Sequence, residues 1–189
     1  MAAEASIISR YILADFEERV CIMLENYTTF EAQLEIELDG IEYRIKEERA
    51  YQRRIARGEL GVRIQSSGIS DPTFREAEEN IMIAEALEKM DLNSDIFDSC
   101  EEVEAIKRDI YAMEIMQIDF RNMKKQLKVM KSLDRSTLLT VYDEEVEIQT
   151  LAVNEGIDYE SARSRVNRAK KRLQEKMIVF WNQNQRRGL

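Results

Sequence analysis

The residue types with the clearest chemical use lie near the C-terminus. Tyr159, Glu160, Ser161, Arg163, Ser164 and Asn167 carry the groups that read base edges. Arginine offers a pair of donors to guanine, asparagine suits adenine, and a carboxylate accepts from cytosine. Arg165, Arg168, Lys170, Lys171 and Arg172 form a second set. Their charge suits phosphate oxygens, which position a protein on a duplex and make its affinity salt-dependent. Between residues 158 and 176 there are seven basic residues and three acidic ones, inside a chain of net charge −9. A plainer description also fits: an αα-hairpin whose basic face is simply solvated.

These side chains need a helix to carry them and a second element to hold that helix. Residues 148–155 form a short amphipathic run with Leu151 and Ala152 as its apolar pair, and Gly156 follows. Glycine holds the positive φ that ends a helix at little cost. Asp158 stands where a new helix needs an N-cap, since its carboxylate accepts orphan backbone N–H groups and suits the positive end of the dipole. Ala162, Val166, Ala169, Leu173 and Met177 then recur at steps of four, three, four and four, one stripe of a helix. Ala152 is small where a second helix crosses close, and Ile157, Ala162 and Val166 supply the contacts at that crossing. A short helix, a glycine turn and a longer basic helix together make a helix-turn-helix.

The stretch LAVNEGIDYESARSRVNRAKKRLQEKM, 151–177, resembles region 4 of the sigma-70 factors. Upstream, SSGISDPTFREAEENIMIAEALEKM, 66–90, resembles the Ser-x-x-x-Asp-Pro-Thr segment of phage late-gene regulators of the RinA and ArpU type. The resemblance covers under a third of the chain. It implies a helical, coiled-coil-like N-terminal part joined to a C-terminal sigma-region-4-like helix-turn-helix. It also implies a phage-encoded activator of late genes that meets RNA polymerase as well as double-stranded DNA. Glu155 departs from the family pattern, which buries an aliphatic residue before the glycine, and 138–146 is more acidic than the corresponding helix.

The composition is that of a helical protein, with 34% charged residues, six glycines and one proline in 189 residues. Proline is excluded from helix interiors, so its scarcity favours long helices. No apolar run approaches the length of a membrane helix, and residues 1–20 lack the pattern of a signal peptide, so a cytoplasmic protein without a membrane partner is expected. Cys21 and Cys100 lack metal-ligand or redox spacing, and histidine is absent. The glycine patterns of nucleotide-binding loops are absent too. No enzyme, cofactor or metal is expected.

Residues 5–57 read as two long helical segments. Ile8, Ile12, Phe16, Val20, Met23, Leu24 and Tyr27 mark the first, and Phe30, Leu34, Leu38, Ile41 and Ile45 the second. Thr28 or Thr29 would cap the second, and Gly40 invites a kink. Arg49, Arg53, Arg54 and Arg57 cluster at its end, either to complement the helix dipole or as a second phosphate contact. Residues 58–70 read as a hinge loop. Ser70 or Asp71 then caps a helix with Pro72 in its first turn and Phe74, Ala77, Ile81, Ala84 and Leu87 on its apolar face. Residues 94–131 hold the longest pattern: Val103, Ile106, Ile110, Met113, Phe120, Met123, Leu127 and Met130, with Gln117 in the gap and Asp119, Arg121, Lys124 and Lys125 on the wet face. About four heptads of this kind suggest a coiled-coil-like hairpin or the seam of a homo-oligomer.

The pattern breaks near 132–135, with Leu133 and Asp134 as linker and Ser136 as the next cap. Two domains are therefore expected. Residues 1–132 would be an acidic interaction or oligomerisation domain, and 133–189 a helix-turn-helix DNA-binding domain. From Asp134 onward the charge is about +1, against about −10 for the remainder. The expected fold is all-α, a long helical hairpin or coiled-coil-like N-terminal part followed by the helix-turn-helix. The function that fits is a sequence-specific transcriptional regulator. Rivals are a compact sigma factor, a phage DNA-packaging or scaffolding protein, and a coiled-coil adaptor that never meets DNA.

Overall fold

The computed structural model describes residues 6–56, 72–97 and 102–185. Among the described residues the chain is all-α, with no strand. Its helices are α1 (Ile7–Leu13), α2 (Phe16–Glu25), α3 (Phe30–Ala56), α4 (Pro72–Glu88), α5 (Val103–Lys128), α6 (Ser132–Tyr142), α7 (Ile148–Glu155) and α8 (Tyr159–Gln185), with a 3-10 turn at Asp95–Phe97. The expected hinge at 58–70 and the Ser70 or Asp71 cap lie outside the described residues. No helix among the described residues is long and apolar enough to cross a membrane.

The chain divides into two compact units, residues 1–33 with 115–189, and residues 34–114. The expected boundary near 132 thus falls inside the first unit, because α2 packs on α8 and so joins the N-terminal residues to the C-terminal ones. The acidity follows this division: 21 acidic against 11 basic residues give 34–114 a net charge of −10, and the remainder carries +1.

In the first unit α8 is the central element, in contact with α2, α6 and α7. Ala162, Val166, Ala169, Leu173, Met177 and Trp181 are all buried along one stripe, as the spacing required. The N-terminal segment is two helices rather than one. Ala14 adopts an extended conformation with φ −71° and ψ 143°, and the Asp15 carboxylate accepts from the Glu18 amide at 2.8 Å to start α2. Phe16, just inside α2, stacks on Trp181 with ring centroids 5.0 Å apart.

Asp119 is the sharpest departure. Its spacing placed it on the wet face, yet it is 4% exposed and lies among elements from three parts of the chain. The Tyr11 hydroxyl donates to its Oδ2 at 2.8 Å, and the Trp181 indole donates to Oδ1 at 2.6 Å. A buried carboxylate persists only where donors replace its water, and here two aromatic side chains supply them. Burial still raises the Asp119 pKa, against the lowering pull of the two donors and Arg19.

The gap in the α5 pattern is filled by Met116, which is fully buried, while Gln117 stays at the margin. Phe120 stacks on Phe30 at 4.6 Å and meets Tyr27 edge-on at 5.8 Å. The apolar stripe of α5 is therefore largely buried within the chain. Leu133 and Asp134 belong to α6 rather than to a linker. Ser136 does not cap it, for its hydroxyl donates to the Leu133 carbonyl within the helix.

In the second unit α3 runs through Gly40 without a break, and nothing lies near that position. Arg49 and Arg53 both pair with Glu79 of α4. Arg49 also donates to the carbonyls of Ile96 at 2.9 Å and Asp95 at 3.0 Å, which fixes the 3-10 turn. These two arginines are occupied by structural work. α4 buries Ile83, Ala86 and Leu87, whereas Phe74, Ala77, Ile81 and Ala84 face out. The helix is apolar on two sides, and the Arg49–Arg53–Glu79 cluster turns the other one inward.

Candidate nucleic-acid interface

The turn between α7 and α8 forms as its residue types require. Gly156 has φ 66° and ψ 31°, the left-handed conformation that favours glycine, and its amide bonds back to the Ala152 and Val153 carbonyls. The Asp158 carboxylate accepts from the Ser161 amide at 2.9 Å and from the Ser161 hydroxyl at 2.5 Å. Those bonds, the hydroxyl first, hold the Asp158 carboxyl below the usual carboxylate range. Leu151 and Ala152 of α7 are buried, as are Ala162 and Val166 of α8. Glu155, the residue before the turn glycine, pairs with Arg165. The turn is thus spanned by an ion pair.

At 3.6 residues per turn, α8 presents three kinds of face. The outward one carries Glu160, Ser161, Ser164, Asn167, Arg168 and Lys171, all exposed. Tyr159 and Arg163 are exposed beside it, with Arg163 at 4.0 Å from the Glu160 carboxylate. The Arg168 Nε donates to the Ser164 carbonyl at 3.2 Å, which lays that side chain along the helix.

The flanks are engaged with neighbouring helices. On one, Gln174 donates to the Glu17 carbonyl at 3.0 Å and meets the Cys21 sulfur at 3.4 Å. Lys170 lies on this same side. Burial pulls its pKa down, but the Cys21 thiol, Tyr142 and Glu25 outweigh that and raise it. On the other flank Arg165 meets α7, and the Arg172 Nη1 donates to both oxygens of Asp134 in α6 at 2.6 and 2.8 Å.

Of the eleven residues singled out, Tyr159, Glu160, Ser161, Arg163, Ser164, Asn167, Arg168 and Lys171 therefore share an accessible surface. Arg165 and Arg172 bind the protein's own helices, and Lys170 is half-buried beside them. Gln149, Thr150 and Asn154 are also exposed, on α7, as the polar complement of the Leu151–Ala152 pair. Comparison of the chain with protein-family models, with curated proteins and with solved structures finds no match.

Proposed function

We propose that the protein is a sequence-specific DNA-binding regulator of transcription that uses α7 and α8 as a helix-turn-helix. One observation carries this reading: a glycine-ended short helix and an Asp-capped long helix hold a contiguous exposed face of polar and basic side chains away from the core. In such a unit the second helix enters the major groove with its N-terminal residues on base edges, and the first crosses the backbone. Arg163 and Asn167 are the readers with the strongest base preference, for guanine and adenine. Arg168 and Lys171 take phosphates, and Thr150 and Asn154 add neutral hydrogen bonds to the backbone. Arg165, Lys170 and Arg172 keep the helix in place. Contact with RNA polymerase belongs to the same proposal and rests on the resemblance of 151–177 alone.

Selection from a random duplex pool by the purified protein at about physiological salt, followed by footprinting of the winner, tests the proposal. A single enriched site supports it. Weak binding that is equal on all sequences would overturn it, since backbone contact alone carries no sequence information.

A further inference from the structure

Away from the outward face, the end of α5, the start of α6 and the second half of α8 enclose an open cleft of about 560 Å³. That volume lies within the usual range for small-molecule sites. We propose that this cleft binds a small amphipathic monocarboxylate, its carboxylate against Arg172 and its chain along Val129, Val179 and Phe180. The site does not depend on the DNA-binding reading.

Arg172 is built as an anion receptor. The buried Asp134, with its side chain 7% exposed, holds the guanidinium through Nη1 alone, while 49% of the arginine side chain stays accessible. Among the described residues Nε and Nη2 make no hydrogen bond, and a guanidinium matches a carboxylate through two parallel donors. Because Asp134 already fixes the side chain, little rotamer entropy remains to be lost on binding.

Charge and surface define the ligand further. Lys131 and Lys176 also line the cleft, and neither makes an ion pair among the described residues. Against Asp134 and Glu175 these three basic groups leave one positive charge in excess, which favours a monoanion over a dianion. Apolar side chains share the open wall: Val129 is 68% exposed and Val179 54% exposed. Isolated exposed valines are ordinary, but two facing one cleft beside an anchored arginine favour a ligand with a hydrocarbon part.

The test is titration of the full chain with sodium decanoate, followed by amide chemical shifts, with decanol as the uncharged control. Decanoate should bind saturably with Kd about 0.1–1 mM, at least about tenfold tighter than decanol, and shift the amides around Val129, Lys131 and Val179. Lys176→Glu and Lys131→Glu, at solvent-facing positions that leave the core intact, should each weaken it on the order of tenfold, and Val179→Asp should abolish it. Equal binding of decanoate and decanol would overturn the proposal. So would parent-like affinity in the two lysine variants, shifts located elsewhere, or no saturable binding.

Discussion

Replacing Asp119 tests how the first unit is held together. The carboxylate is 4% exposed and accepts from Tyr11 at 2.8 Å and Trp181 at 2.6 Å, so it fastens α1 and the end of α8 to α5. Asp119→Ala removes both bonds and leaves two buried donors unsatisfied. Each charge-assisted hydrogen bond contributes about 1.5–3 kcal/mol net, and relief of the buried charge offsets part of the loss. The expected destabilisation is about 3–4 kcal/mol. Asp119→Asn keeps the acceptor for the indole, and the Tyr11 hydroxyl can rotate to accept from the new amide. It should cost about 1 kcal/mol or less. Urea unfolding followed by fluorescence reads this directly, because Trp181 is the single tryptophan and belongs to the first unit. An alanine variant within about 1 kcal/mol of the parent, or an asparagine variant as unstable as alanine, would refute the reasoning.

Other outcomes follow from the same structure. Burial raises the folded-state pKa of Asp119 above the ordinary 3.8, so the native state holds that proton more tightly than the unfolded chain does. The contribution of Asp119 therefore becomes more favourable as pH falls through that raised value toward 3.8, and the stability difference between parent and Asp119→Asn should move in the parent's favour over that window. Gly156→Ala meets no atom within 4 Å, so only the strain of φ 66° remains; a loss of about 1 kcal/mol in thermal or urea unfolding is expected, and less for Gly156→Asn. Arg168→Ala and Lys171→Ala should each lower the slope of log affinity against log salt by about 1 on a DNA duplex, whereas Arg172→Ala should lower stability and leave that slope alone.

The C-terminal helices were legible because their determinants are local. Gly156, Asp158 and the stripe from Ala162 to Met177 each act within a few residues of themselves, and the register they set was the one found. The break after Ala14 has a local signal, Asp15 followed three residues later by Glu18, but the longer apolar period around it masks that capping signature. Asp119 was not legible, since its donors lie 108 and 62 residues away and its own neighbours look solvent-facing. The buried face of α4 was not legible for a related reason. Two apolar stripes compete on it, and the choice is made by Arg49 and Arg53 meeting Glu79 from α3. The same limit applies to the interface. Charge counting drew Arg165, Lys170 and Arg172 into one basic set with Arg168 and Lys171. Only the tertiary partners Glu155 and Asp134, and the partial burial of Lys170, separate them.

The most direct measurement is amide hydrogen exchange of the full chain with and without its selected duplex. Added protection concentrated at Thr150–Asn154 and along Tyr159–Lys171 is expected if α8 enters the groove and α7 crosses the backbone. Protection confined to 34–114, or no change across α7 and α8 at saturating duplex, would contradict the assignment of this face to DNA.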